Sequence, residues 1–464
     1  MSSSSSSRIS IGHLRRHDGF TLLELMIALT LGLLLSIGIT YLFQTTSGTS
    51  KMVNGFAQLQ ENGRFATNQM NADLRMAGAP FCSGSSGPAT ITAGNGAMDT
   101  SIATLIYAGG LTLPDLPSGV SAGAPTGWQT NWQTTAPYNY PLSPSIDIKG
   151  YECDKGTTTC APPAGATGLP AVGTTAGSRV AGADVLTVRY LQGPGWGLKS
   201  STAGAGTCTI TFGGDTGDPA FNFSSGGANL FVGVCGNPIV AATTGAVTAG
   251  ANASATLSVG AAGGNSAGCS GWQPNIVRVY NYTSDYVTVT YYLRYDPDPN
   301  APGRLISSLY RRFNGSSATS GIDSVLVQGV EKLDFLYGVS DINGNVSYFT
   351  ADLVDSGSTA ANCSAAPVQF QNVTGSVEQN GCLWRSIKSI EVHMLMNTVN
   401  NVYTLGSDEI PYCYSIDPTT SLATVDCTQM ASLTTPPATD AAGKPSRMMR
   451  REFVSLVGVR RGGQ

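Results

Sequence analysis

Gly19-Phe20-Thr21-Leu22-Leu23-Glu24 opens a run that stays apolar as far as Phe43 and carries one charged side chain, Glu24. Residues 20–43 contain no Lys, Arg, Pro or Asp. At 1.5 Å per residue a helix over them extends about 36 Å, enough to cross a hydrocarbon core of about 30 Å. Arg8, Arg15 and Arg16 precede the run and the first basic residue beyond it is Lys51. The positive-inside tendency therefore places the N-terminus in the cytoplasm and the bulk of the chain outside. A cleaved secretory signal has a shorter apolar core, about 7 to 15 residues, followed by a small-x-small site. An acid near the bilayer centre costs about 2.5 to 3.5 kcal/mol. Glu24 thus belongs either at headgroup level in the first turn, where the helix dipole favours it, or against a partner charge.

Beyond the apolar run, Met52, Phe56, Leu59, Gly63, Ala66, Met70, Leu74 and Ala77 recur at steps of three and four. They mark one face of an amphipathic helix that ends near Gly78 and Pro80. Gln58, Gln60, Glu61, Asn62, Arg64, Asn68, Asn71, Asp73 and Arg75 are expected on its wet face. A helix from Phe20 to Ala77 would be about 87 Å long. Its second half needs a sheet to cover it, because a single stripe of this kind is marginal in water.

Strand signals supply that sheet. Val185, Thr187 and Arg189 alternate with Leu186, Val188 and Tyr190, and Tyr286 to Tyr295 is a β-branched and aromatic run closed by Asp-Pro-Asp-Pro-Asn at 296–300. Val325 to Leu336 reads as a strand pair with a bend near Gly329. Ile387 to Met396 places Ile390, Val392, Met394 and Met396 on one face, with Glu391 and His393 on the other, and Phe453 to Val459 is the last strand. The expected class is α+β, a long N-terminal helix packed on an antiparallel sheet. Residues 83–180 are rich in Gly, Pro, Ser and Thr. Residues from about 200 to 275 are almost all Gly, Ala, Ser, Thr and Asn, and read as a disulfide-tied, turn-rich insertion without a separate fold.

Gly19 to Glu24 with its apolar run resembles the processing and methylation signature of type IV prepilins. Leu59-Gln60-Glu61-Asn62-Gly63-Arg64-Phe65-Ala66, then Asp73-Leu74-Arg75-Met76-Ala77-Gly78 and Cys82, narrow the resemblance to the PilW family of type IV pilus minor pilins and assembly proteins. Gly182 to Tyr190, Leu309-Tyr310-Arg311-Arg312, Gly329-Val330-Glu331, Tyr337-Gly338 and Arg451-Glu452-Phe453 to Arg460 agree with it.

The resemblance implies a pilin-like fold and a leader, residues 1–19, removed by prepilin peptidase after Gly19. It further implies N-methylation of Phe20, and a Glu24 that sets assembly register by pairing with the Phe20 ammonium of a neighbouring subunit. The implied layout is a transmembrane segment at 20–43, an amphipathic segment at 44–78 and an extracytoplasmic β-rich region at 79–464. The implied role is a minor pilin that primes pilus assembly in a tip complex, supporting twitching motility and adhesion. Its partners would be other minor pilins, the major pilin and a large tip adhesin, first at the inner membrane and then on the pilus. A minor pseudopilin of a type II secretion system and a membrane-tethered extracellular enzyme are the alternatives.

All ten cysteines, Cys82, Cys153, Cys160, Cys208, Cys235, Cys269, Cys363, Cys382, Cys413 and Cys427, lie beyond the apolar run, as expected for up to five disulfides in an oxidising compartment. Sequence-near pairs are the expectation: Cys153 with Cys160, Cys208 with Cys235, Cys363 with Cys382, Cys413 with Cys427. No two are close enough for a C-x2-C zinc site, so no metal and no cofactor is expected.

Without residues 1–19, the 25 basic and 29 acidic residues become 22 and 28, a net of −6. With the basic residues spread, this gives no basis for nucleic-acid binding. His393 is the one histidine beyond the leader, and no G-x-S-x-G surrounds any serine, so catalysis is not expected. Gly193-Pro194-Gly195-Trp196-Gly197 reads as a tight turn. Asp215-Thr216-Gly217-Asp218 and Asp341 to Asn345 read as turns rather than calcium loops, since neither continues to the glutamate of an EF-hand.

Overall fold

The computed structural model describes residues 21–77, 105–106, 148–153, 169–221, 223, 227–233, 239–258, 269, 272–274, 276–299, 301–313, 322–340, 345–354, 384, 387–402, 414–416 and 447–459. The chain divides into two units, Met1–Asn54 and Gly55–Gln464. One uninterrupted helix, α1 (Leu22–Met76), belongs to both.

In the first unit every residue from 21 to 46 is exposed. The most apolar 18-residue window of α1 has a mean hydropathy of 2.3 and none of it is buried. The hydroxyls scattered through this half do not compromise its apolar character. Thr30, Ser36, Thr40, Thr45 and Thr49 donate back to the carbonyls of Ile27, Gly32, Ser36, Tyr41 and Thr45, at 2.8 to 3.0 Å. Such bonds satisfy polar groups that lipid could not.

In the second unit α1 buries Gly55, Leu59, Gly63, Ala66, Met70, Asp73 and Leu74. Beneath it lie two antiparallel sheets. One contains β2 (Ile148–Tyr151), β3 (Val185–Leu191), β10 (Tyr286–Pro297), β11 (Leu305–Phe313) and β12 (Ile322–Gln328), in the order β12-β11-β10-β3-β2. The other contains β13 (Val330–Ser340), β14 (Val346–Phe349), β15 (Ile387–Asn397) and β16 (Arg450–Gly458), in the order β14-β13-β15-β16.

The expected bend at Gly329 is the passage from one sheet to the other. Its φ is 84°, and a Cβ there would lie 2.7 Å from the Asn397 carbonyl oxygen. Glycine is the residue that takes this conformation without steric cost. One core joins the helix to both sheets: Leu59, Met70 and Leu74 meet Leu186, Val289, Phe335, Ile390 and Met394. Each fully buried side chain of this size contributes about 1.5 to 3 kcal/mol.

The region from about 200 to 275 departs from expectation. It forms most of a seven-stranded sheet of β1 (Leu105–Ile106), β4 (Trp196–Ala203), β5 (Thr207–Phe212), β6 (Gly227–Gly233), β7 (Ile239–Ala246), β8 (Ala253–Ser258) and β9 (Arg278–Asn281), ordered β1-β7-β6-β9-β4-β5-β8. An additional β7–β8 pairing closes it on itself. Its own core holds Trp196, Leu198, Ile210, Phe212, Leu230, Ala255, Leu257 and Val279.

Composition hid a period-two pattern. Cys208, Ile210 and Phe212 point in while Thr207, Thr209 and Thr211 are half-buried or exposed, and Ala253, Ala255 and Leu257 repeat the scheme. An interior that mixes large residues such as Trp196 and Phe212 with small ones such as Ala241, Ala253 and Ala255 suits a narrow closed sheet. The disulfide here is Cys208–Cys269, with Cα atoms 6.2 Å apart, so the expected pairing of Cys208 with Cys235 is wrong. The alternation carries Cys208 into the core beside Cys269, whereas chain proximity alone had suggested Cys235. The chain enters this unit through the Gly193–Gly195 turn (φ 85° and 63°) after β3 and leaves it just before β10. Since Leu191 faces Tyr286 across those strands, the insertion interrupts the five-stranded sheet without parting it.

Candidate functional site

The start of α1 is a reciprocal cap. Thr21 stands just outside the helix, and its hydroxyl accepts the Glu24 amide at 3.2 Å. The Glu24 carboxylate accepts the Thr21 amide and hydroxyl, each at 3.0 Å. Thr-x-x-Glu is a capping box, which satisfies orphan amides at a helix start. The Thr21–Glu24 spacing that makes this cap stands in the sequence itself. Gly19 and Phe20 lie outside the described residues, as do Cys82, Cys160, Cys235, Cys363, Cys382, Cys413 and Cys427. Cys153 is buried and disulfide-bonded.

The other end of α1 is anchored by charge. Asp73, expected on the wet face, is 5% exposed. The Tyr190 hydroxyl donates to it at 2.8 Å, the Tyr291 hydroxyl donates to its other oxygen, and Arg311 forks onto both oxygens at 2.7 and 3.2 Å. Thus β3, β10 and β11 each contribute one donor. Burial, then the Asp73 charge, pushes both tyrosine hydroxyls well above their ordinary value, so they remain neutral donors. Burial pulls Arg311 down, but the Asp73 hydrogen bonds and charge outweigh it and raise the guanidinium overall. Asp73 falls at steps of three and four with Ala66, Met70 and Ala77, the spacing that could have placed it on the buried face.

Close packing fixes the helix between these ends. A Cβ at Gly63 would fall inside the Phe453 ring of β16, so only glycine lets that ring approach. Below, Asp184 accepts amides of Cys153 at 3.1 Å and Phe335 at 3.0 Å, tying the five-stranded sheet to β13. Burial first, then the Glu152 and Asp334 charges, raises its carboxyl well above the usual range.

His393 is not on a wet face. It is 2% exposed, with one ring nitrogen 3.0 Å from Glu391 and the other 2.9 Å from both Glu452 and the Ser415 hydroxyl. The adjoining strand and residues 414–416 cover it, and Ser415 also donates its amide to Glu452 at 2.9 Å. Its bonds tie β15, β16 and residues 414–416 together. Asp215 and Asp218 form a turn, with the Asp215 amide on Asp218 at 3.0 Å and their carboxylates facing Lys199 and Arg278. Most of Asp341 to Asn345 lies outside the described residues.

Two family profiles match the chain. Residues 14–40 match the prokaryotic N-terminal methylation motif, and residues 290–461 match the type IV pilus-assembly protein W profile. The C-terminal part of the chain is thus similar to the PilW family of type IV pilus-assembly proteins. No curated protein and no solved structure matches it. The PilW match begins within β10 and runs past β16, so it includes Arg311, His393 and Phe453 but not the closed insertion. The methylation match includes Gly19, Phe20 and Glu24. The methylation motif ahead of an exposed apolar helix, together with the PilW-like C-terminal part, marks a membrane-anchored, pilus-associated protein. The motif implies processing by prepilin peptidase.

Proposed function

We propose that this chain is a minor type IV pilin that primes pilus assembly in a tip complex with other minor pilins, and so supports twitching motility and adhesion. Cleavage after Gly19 and methylation of Phe20 precede assembly. Residues 20–43 hold the subunit in the inner membrane with the N-terminus cytoplasmic, residues 44–78 continue the helix, and 79–464 is periplasmic until the subunit enters the pilus. The supporting observation is the exposure of every α1 residue from 21 to 46 in a segment of membrane hydropathy.

Such a surface is stable in lipid or against other apolar helices, so extraction from the bilayer requires reburial in a bundle. There the Glu24 carboxylate exchanges its Thr21 bonds for the Phe20 ammonium of a neighbour, fixing the axial register. The major pilin and a large tip adhesin are the further partners. Intact-mass analysis of membrane-extracted protein tests the proposal: a chain starting at N-methylated Phe20 is expected, and a retained Met1 overturns it. Loss of twitching rather than of protein secretion on deletion separates it from a type II secretion pseudopilin.

A further inference from the structure

A cavity of about 320 Å³ lies between Gln58, Leu59 and Asn62 of α1, residues 325–328 of β12, and Asn397 at the end of β15 with residues 398–400 beyond it. Successive strand residues point to opposite faces. A cavity reached by four in a row therefore lies along the strand's edge. β12 ends its sheet, and among the described residues its outer edge pairs with no strand.

Exposed edges are ordinarily blunted by shortness, charge or proline. β14 is four residues long and β16 begins Arg450-Arg451-Glu452. β12 has seven residues with neither Lys nor Pro, its one charged side chain, Asp323, is paired with Arg312 of the neighbouring β11, and its Ile322 and Val325 are 70% and 46% exposed. The walls suit a peptide. The carboxamides of Gln58, Asn62 and Gln328 each offer two donors and an acceptor, the complement of a peptide group. The one carboxylate in the lining, Asp298, is paired with Arg304, so the groove is neutral.

Opposite β12, Val399 has a φ of 61°, an outlier for a β-branched residue, held by its amide on Asn397 Oδ1 at 2.7 Å. The groove wall is thus set before any ligand arrives.

We propose that this groove receives an extended, uncharged segment of a different pilus subunit, which adds a strand to the outer edge of β12 while Gln58, Asn62 and Gln328 hold its peptide groups. The inference rests on the pilus-assembly reading and names the surface by which the globular part would select its partner. An apolar helix alone cannot supply that choice, since lipid-like surfaces fit many neighbours.

The test places a photo-crosslinking amino acid at Gln58, at Gln328, at Leu31 and at the exposed control Ala203, in the full-length chain in piliated cells. Adducts from 58 and 328 are expected to map to an uncharged segment of another pilus subunit, at about tenfold the control yield. Val325→Lys should lower them about tenfold while the Cys208–Cys269 bond still forms. Adducts only to lipid or to a second copy of this chain overturn the inference. So does silence at both groove positions while Leu31 yields adducts to pilus subunits. Silence at Leu31 as well overturns the pilus reading itself.

Discussion

The two halves of α1 share one backbone and follow opposite rules. From residue 21 to 46 every side chain is exposed, and the hydroxyls present bond to their own helix. From Gly55 onward one face is buried, small residues let the sheet approach, and a carboxylate is held under four polar contacts. The first half is unfinished in an isolated subunit and the second is complete. Environment outside the chain decides the first, and contacts within it decide the second.

The sharpest way to break this comparison is to change Glu24, the acid of the first half, and Asp73, the buried acid of the second. Glu24→Ala should leave unfolding of the globular part unchanged, because among the described residues Glu24 bonds only to Thr21. If the proposed pairing with Phe20 forms in the fibre, its loss leaves a buried ammonium unpaired at about 3 to 5 kcal/mol, more than about a hundredfold in assembly. Fibre counts by electron microscopy beside a urea melt check both parts. Undiminished fibres would refute the register role.

Asp73→Ala should do the reverse, unfolding first. Removing one partner of a buried ion pair costs about 3 to 5 kcal/mol. Here it strands Arg311 and two tyrosine hydroxyls together. Urea unfolding in detergent, followed by tryptophan fluorescence, measures the change. A shift below about 1 kcal/mol would show that the anchor is decorative.

Gly63→Ala tests packing without charge. Phe453 must move to admit the methyl, and overpacking of this kind costs about 1 to 3 kcal/mol. Gly32→Ala, where nothing lies within 4 Å, is the matched control in the other half and should leave the same melt unchanged.

The smallest effect concerns pH. Asp184 has its carboxyl raised in the folded state, so above about pH 4 the unfolded chain loses that proton first. The native state then binds more protons, and this contribution to stability falls as pH rises toward the folded value. Asp184→Asn should flatten the change in urea midpoint between pH 4.5 and pH 7.5. An unchanged slope would place the titration elsewhere.

Much of the fold was legible because burial imprints a period. The strands at Val185, Tyr286 and Ile387, the bend at Gly329 and the stripe from Leu59 to Ala77 all stood in the sequence as alternations or steps of three and four. The failures share a cause. Asp73 was expected on the wet face of the helix and His393 on the polar face of its strand, yet each is buried with partners far along the chain: Arg311 is 238 residues from Asp73, and Glu452 is 59 from His393. The closed insertion is hard to read because strands such as Ile239–Ala246 and Ala253–Ser258 consist mostly of Ala, Thr, Ser and Gly, which composition reads as loop, while the large residues of its core are dispersed among them.

By itself the sequence determined the apolar helix, its lone acid and the membrane-anchored class, since these depend on residues adjacent in the chain and on the solvent they must meet. Tertiary structure alone decided that Asp73 is a rivet, that Cys208 meets Cys269 and that, among the described residues, no strand pairs with the outer edge of β12. Those facts depend on which distant groups folding brings within bonding distance: spacing could have placed Asp73 on the buried face, but it does not name the partners found there.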